Sequence, residues 1–279
     1  MTGRITRSLS GFYTVDTGSE ILTCHARGIF RKRGIAPLAG DIVTVTKNAD
    51  GTGSITEVAE RRNMLIRPPV ANIDTLLLLL SEATPKTEPF VIDKMVAAAV
   101  YRGIEVILFV NKTDLAPGSG LLEIYKTTGH PLLSGSALTG EGISGLRPLI
   151  ARKCIALAGN TGVGKSALMG ALDTSRTYQT GEVSERLGRG RHTTRHVELT
   201  RLRDDVLAAD TPGFSALDGL ETIPPSELAG CFLEFRPCLG HCRFAGCLHR
   251  EGQTGCAVRE APIHPSRYGS YLRLLEESL

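Results

Sequence analysis

Gly159-Asn160-Thr161-Gly162-Val163-Gly164-Lys165-Ser166 satisfies the spacing G-x-x-x-x-G-K-[ST] in full. Residues of these types in this order wrap phosphate groups. The glycines let backbone N–H groups turn inward where a Cβ would clash. A helix starting at Lys165 adds the positive end of its dipole. Lys165 is suited to reach the β- and γ-phosphates of a nucleoside triphosphate and Ser166 to ligate Mg²⁺. Asn160, Thr161, Val163 and Ala167 complete this part of the nucleotide-binding set. A chance glycine-rich turn would meet the spacing alone, but the flanks argue otherwise. Residues 153–158 form a short apolar run suited to a buried parallel strand, and residues 165–172 suit a helix.

A second chemical element lies earlier in the chain. Asn111-Lys112-Thr113-Asp114 follows the apolar run 105–110. An ionised Asp114 only accepts hydrogen bonds. It can take both the N1–H and the exocyclic amino group of guanine, a pair of donors that adenine does not offer there. Asn111 would tie neighbouring loops together and approach N7, and the stem of Lys112 would cover the base face. Ser134-Gly-Ser136-Ala137-Leu-Thr-Gly-Glu-Gly142 comes next, after a short strand at 130–133. It resembles the fifth motif of GTPases, in which the Ala137 N–H would donate to guanine O6.

Two elements follow the phosphate loop. Arg189-Gly-Arg-His192-Thr193-Thr194-Arg195 is polar, arginine-rich and without periodicity, which suits a switch I loop whose threonine closes on Mg²⁺ and the γ-phosphate. Either Thr193 or Thr194 can fill that role, with Thr194 preferred. A strand at 205–209 then runs into Asp210-Thr-Pro-Gly213. There Asp210 should hold Mg²⁺ through water, and the Gly213 N–H should sense the γ-phosphate. The motif order is therefore fourth, fifth, first, second, third. An ordinary GTPase places the phosphate loop first, so this order implies a G domain whose chain was cut and rejoined elsewhere.

That order, with its flanks, resembles the RsgA (YjeQ) family of bacterial ribosome-assembly GTPases. The resemblance covers essentially the whole chain. It implies an N-terminal OB-fold β-barrel over residues 1–66, a circularly permuted α/β P-loop GTPase domain over 67–222, and a small α-rich zinc domain over 223–279. It further implies hydrolysis of GTP to GDP, with Mg²⁺, on the small (30S) ribosomal subunit and its 16S rRNA during late maturation. In Ras-like enzymes a glutamine after the D-x-x-G glycine orients the attacking water. Here that residue is Phe214, which cannot hydrogen-bond water, so another group must act. The resemblance gives the water-positioning role to the histidine before the switch I threonines, which is His192. A solvated histidine or an RNA contact beside Arg189 and Arg191 is the alternative role for it.

Five of the seven cysteines fall between 231 and 256, and within them stands Cys242-x₄-Cys247-x-His249-x₆-Cys256. Three thiolates and one imidazole are a recognised structural zinc set. A segment of this size has little apolar core of its own, so one structural Zn²⁺ would supply folding energy. The resembled pattern has one residue fewer before the last cysteine. Cys238 and His241 stand close enough to compete as ligands. Cys24, Cys154 and Cys231 are isolated and suit small core positions.

The N-terminal stretch alternates β-prone segments at 11–15, 21–26, 41–46 and 54–58 with glycine turns. This spacing favours a small barrel, either OB-fold or SH3-like. Residues 1–70 hold ten Lys/Arg against six Asp/Glu, with Arg31-Lys32-Arg33 the densest cluster, while the rest of the chain is near balance. A basic barrel suits RNA backbone, although a lone triplet also occurs as a solvated turn. Phe12, Tyr13 and Phe30 could stack bases, but a core position is the stronger expectation for each. Pro68-Pro69 and Pro224-Pro225 mark the domain boundaries. The G domain should open with a strand at 74–80 and a helix at 90–101, and residues 265–279 should form a helix burying Tyr268, Leu272 and Leu275. With 42% hydrophobic and 22% charged residues the composition is that of a soluble globular protein. A cytoplasmic monomer without membrane contact is expected. Two other functions fit part of the pattern: a GTP-gated RNA-binding module, and a permuted GTPase of the large subunit.

Overall fold

A computed structural model describes the chain except residues 10, 29, 31–33, 35, 67–68, 174–196, 210–222 and 279. The first five strands are β1 (Thr2–Leu9), β2 (Phe12–Asp16), β3 (Ile21–Ala26), β4 (Ile42–Lys47) and β5 (Gly53–Val58). They close into a barrel in the order β1-β2-β3-β5-β4, with β4 returning to β1. All pairs are antiparallel except β3 with β5. This is the Greek-key order of the OB-fold, which settles the choice of barrel. Strict alternation fills the interior with Ile5, Val15, Leu22, Cys24, Val43, Val45 and Ile55. β1 escapes a reading by pattern because Ile5 is its one fully buried apolar side chain. Phe30 is buried and Tyr13 half-buried, but Phe12 is 51% exposed, against the expectation of a core position. It lies on the outer face of β2, opposite His25 of β3.

A short antiparallel ladder of β6 (Met64–Leu65) and β7 (Val70–Ala71) follows the barrel. The next strands are β8 (Thr75–Leu80), β9 (Glu105–Val110), β10 (Leu132–Ser134), β11 (Cys154–Ala158), β12 (Leu199–Arg201) and β13 (Leu207–Ala209). They form one sheet in the order β10-β9-β8-β11-β13-β12, parallel except for β12. Helices α1 (Pro89–Tyr101), α2 (Ser119–Tyr125), α3 (Ile143–Ile150) and α4 (Lys165–Leu172) lie between strands, as parallel neighbours require. Both faces are covered. Leu76, Leu78 and Leu80 of β8 pack with α1 and α2, and Leu77 and Leu79 with α3 and α4. That two-sided burial is why β8 reads as an unbroken apolar run. The expected strand at 205–209 is shorter, because residues 203–205 make a tight turn before β13.

The barrel is fixed to the structure that follows it at two places. Gly40 has φ +92°, and a Cβ there would fall well inside contact distance of the Ala71 carbonyl oxygen. At the other, Arg7 of β1 bridges Glu198, and Arg201 of β12 meets Asp16 at 2.6 Å.

The C-terminal part comprises α5 (Pro225–Leu228), α6 (Ala257–Glu260) and α7 (Pro265–Glu277), with short 3₁₀ turns between. Phe232, Phe235, Tyr271, Leu274 and Leu275 form its core, which extends onto Ala97 of α1. α7 differs from the expected register. Leu275 is buried, but Tyr268 and Leu272 are half-buried, and the covered face carries Arg267, Ser270, Tyr271 and Leu274. Arg267 is 1% exposed. It bonds Asp93 of α1 and reaches Glu234 at 2.6 and 3.2 Å, with its guanidinium 4.6 Å from the Phe232 ring centre. Tyr125 donates to the same Asp93 at 2.7 Å. Burial works against the charge of Arg267, but the two carboxylates outweigh it and hold the guanidinium protonated.

Removing one member of a buried ion pair costs about 3–5 kcal/mol, because the other charge is left uncompensated. Arg267→Ala should therefore lose that much in urea unfolding. Replacing Arg267, Asp93 and Glu234 together by apolar residues should recover part of it. A single variant that melts like the wild type would show that the network contributes no docking energy.

Candidate functional site

The parallel strands β8 to β11 and β13 point their carboxyl ends to one edge of the sheet, where ligands bind in open α/β folds. β9 ends at Val110 and delivers Asn111-Lys112-Thr113-Asp114. β10 ends at Ser134 and delivers Ser136 and Ala137. β11 ends at Ala158 and delivers Gly159 to Ser166. The three loops therefore meet although 48 positions separate Asn111 from Gly159 in the chain.

Asn111 joins them. Its side chain is buried, donating from Nδ2 to the Val163 carbonyl at 2.8 Å and accepting the Ala137 N–H on Oδ1 at 2.9 Å. Gly164 has φ +108°, and a Cβ there would collide with Asn111 Nδ2. The glycine is thus required by the neighbouring loop as well as by the phosphate loop's own turn. The Ala137 N–H, expected to donate to guanine O6, is engaged with Asn111. Ser136 is fully buried, and its hydroxyl accepts from the N–H groups of Leu138 and Thr139 at 3.2 Å. It shapes the loop that carries Ala137.

Lys112 adopts φ +65°, and its Nζ donates to the Thr84 carbonyl at 2.8 Å, which stretches the stem across the mouth. Asp114 stands exposed beside it, its carboxylate without a hydrogen-bond partner among the described residues. Lys165 Nζ lies 2.6 Å from the Gly159 carbonyl and 3.0 Å from that of Asn160, so the ammonium sits inside the phosphate loop. Val163 is buried, Ser166 and Ala167 are half-buried at the start of α4, and Thr161 and Gly162 are exposed on the rim. The segment after β8 also belongs here, which sequence reasoning missed. Thr84 holds Lys112, and the Lys86 carbonyl accepts from Asn160 at 3.4 Å. These are backbone acceptors, which no side-chain pattern announces. His192, Thr193, Thr194, Asp210, Gly213 and Phe214 lie outside the described residues.

Outside this edge, Cys242, Cys247, His249 and Cys256 bring their ligand atoms within 4.8 Å of one another. His249 Nδ1 lies 3.5 Å from Cys242 Sγ and 3.4 Å from Cys256 Sγ. With Zn–S near 2.3 Å and Zn–N near 2.0 Å, tetrahedral neighbours stand roughly 3.5–3.8 Å apart, so the donor set fits the ion. Cys238 and His241, the competing ligands, are not in the group. Burial and the neighbouring thiols push Cys247 up to about 11, and burial keeps His249 below its ordinary value and hence neutral. A cation reverses the first and needs the second. The Tyr268 and Tyr271 hydroxyls donate to the carbonyls of His249 and Leu248 at 2.7 and 2.8 Å, binding the loop to α7.

A doubly wound sheet with guanine-type and phosphate loops at its carboxyl edge, in inverted chain order, defines a circularly permuted GTPase. Comparison with known families agrees. Residues 58–220 match the family model described as RsgA GTPase, and residues 2–55 the one described as RsgA N-terminal domain. The small ribosomal subunit biogenesis GTPase RsgA of Caldanaerobacter subterraneus subsp. tengcongensis is 42% identical, over 99% of this chain and 95% of its own length. That of Geobacillus thermodenitrificans is 39% identical, over 99% and 96%. The crystal structure of YjeQ from Thermotoga maritima superposes with a TM-score of 0.82 at 30% identity, covering 99% of this chain and 98% of that one. YloQ, described as a circularly permuted GTPase, gives 0.81 at 32%, covering 99% and 94%. The chain belongs to the RsgA GTPase family and is a GTP hydrolase. No helix among the described residues is long and apolar enough to cross a membrane.

Two outcomes are expected from this geometry. Asp114→Asn should weaken GTP binding by about 2–5 kcal/mol, as loss of a hydrogen-bonded charge partner does, and improve binding of xanthosine triphosphate. Equal affinity of the wild type for ATP and GTP, by nucleotide titration, would contradict the base-reading role. Cys247→Ala or His249→Ala should lose stoichiometric zinc in elemental analysis and loosen the C-terminal part, read as faster proteolysis there.

Proposed function

We propose that the protein binds the small (30S) ribosomal subunit, assists its late maturation, and hydrolyses GTP faster when bound to it. The observation that carries this is the full-length match to relatives named for small-subunit biogenesis, spanning barrel, permuted G domain and cysteine–histidine cluster alike. A permuted GTPase of the large subunit would share only the middle part.

The residues divide the work as follows. Asp114 selects guanine, with Lys112 over the base; the Ala137 N–H is taken by Asn111, so Ala137 serves by placing its loop beside the base. Asn111 holds those loops to the phosphate loop. Gly159, Asn160, Thr161, Gly162, Val163, Gly164 and Ala167 line the phosphates with backbone N–H groups, and Lys165 neutralises charge that grows on the β- and γ-oxygens. Mg²⁺ would be held by Ser166 and Thr194, with Asp210 acting through water. When bound, it would supply neutralisation of the phosphate charge. Gly213 follows the γ-phosphate. Phe214 offers the attacking water no hydrogen bond, so His192 takes that role, accepting on a neutral imidazole nitrogen. Cys242, Cys247, His249 and Cys256 hold one structural Zn²⁺. The partner surface is 16S rRNA, the compartment the cytoplasm, and the acting form a monomer.

His192→Ala tests the assignment. A group used only in the transition state lowers kcat and leaves affinity alone. The variant should keep GTP affinity and pelleting with 30S subunits, and lose subunit-stimulated turnover by roughly 10²–10⁴-fold. Wild-type turnover by the variant on 30S subunits would make His192 an RNA contact. Stimulation of the wild type by 50S and not by 30S subunits would overturn the choice of subunit.

A further inference from the structure

A cleft opens between the ligand-bearing loop of the cysteine–histidine cluster and the end of α1, on elements that do not contribute to the nucleotide site. It spans about 780 Å³, and Cys242, Cys247 and His249 of the ligand set form part of its wall; the volume falls within the range of roughly 300–1,000 Å³ that takes a drug-sized body. Val100, Leu239, Leu248 and Tyr271 line its floor. Aromatic rings stand at its edge: Tyr101 is 41% exposed, and Phe244 is 60% exposed, more than any other Phe or Tyr among the described residues. A lone exposed ring needs no explanation. Phe244, however, faces a cleft that holds a second exposed ring, and it is presented rigidly. It lies in the four-residue span between two members of the ligand set, Cys242 and Cys247. The Arg243 N–H donates to the Gly255 carbonyl at 2.8 Å, and Gly255 leaves no room for a Cβ against Arg243. A ring held in place gives up little conformational freedom when it is covered.

The surrounding charge selects the occupant. The Arg243 guanidinium lies 5.4 Å from the Phe244 ring centre. Arg236 lines the cleft and spends only Nε, on the Gly230 carbonyl at 3.0 Å; its terminal nitrogens have no hydrogen-bond partner among the described residues. Glu227 is the one acidic side chain along the described lining. Aromatic faces with guanidinium donors beside them match a base and its phosphate, and every base offers a π-face.

We propose that this cleft is a nucleobase pocket, in which an unpaired base of the ribosomal RNA stacks on Phe244 while Arg243 and Arg236 meet the flanking phosphates. The proposal rests on the small-subunit function given above. It adds a base-binding site on the C-terminal part, separate from the basic barrel.

The chain contains no tryptophan, so Phe244→Trp in the zinc-loaded full-length protein places a single indole at the rim. Its emission should be quenched on adding 30S subunits and also on adding purified 16S rRNA. Phe244→Ala should weaken binding to 30S subunits about tenfold to a hundredfold, the effect typical of losing one stacked base, with zinc content and GTP turnover in the absence of subunits unchanged. Quenching by intact subunits but not by 16S rRNA would assign the cleft to a ribosomal protein and overturn the proposal. So would unchanged emission from a variant that pellets with the subunits, or wild-type affinity in Phe244→Ala. A wild type that fails to pellet with 30S subunits would sink the small-subunit function instead, and the 16S rRNA titration would still decide whether Phe244 stacks on RNA.

Discussion

The nucleotide site depends on one buried carboxamide. Asn111 binds the Val163 carbonyl on one side and the Ala137 N–H on the other, so a single side chain sets the distance between the loops for base and phosphate. Its burial makes the arrangement selective. An aspartate there could not donate to Val163, and a shorter residue would leave a buried N–H and a buried carbonyl unpaired, each costing about 1–3 kcal/mol. The permuted chain order is tolerated for the same reason. The loops are held by strand neighbours and by Asn111, not by the connections that happen to join the strands.

The site also has a physical path to the C-terminal part. The residues after β8 supply the carbonyls of Thr84 and Lys86 to Lys112 and Asn160, and then run directly into α1. The second turn of α1 carries Asp93, which Arg267 of α7 grips in a site without water access. α1 thus touches the nucleotide loops through its N-terminal lead and the zinc-type domain through its side. α1 is therefore a single packed element in contact with both regions.

Most of the site was legible in the sequence because its chemistry is local. The glycines, lysine and serine of the phosphate loop and the Asn-Lys-x-Asp turn are short runs with fixed spacing, each behind an apolar strand. The choice between OB-fold and SH3-like barrels was not legible, since it rests on β3 pairing parallel with β5, a contact between distant segments. The register of α7 was misread for a related reason. An apolar stripe through Tyr268, Leu272 and Leu275 is the natural expectation when arginine is assumed to face water. The carboxylates that let Arg267 turn inward come from positions 93 and 234. Cys238 and His241 were ruled out only by geometry, because spacing along the chain does not say which sulfurs converge. Phe12 was expected inside the barrel because phenyl rings usually are; its place on the outer face follows from the strand's parity, which Val15 fixes.

The contact of β1 with the start of β12 has a further consequence. β12 is the outermost strand of the six-stranded sheet, and an outermost strand offers a row of unpaired N–H and C=O groups to any other chain. The Arg7–Glu198 bridge and the Asp16–Arg201 pair set the barrel against that edge. The barrel therefore acts as a guard against self-association. A version of the protein trimmed to its catalytic middle would bare this edge and tend to aggregate, even with every nucleotide contact intact.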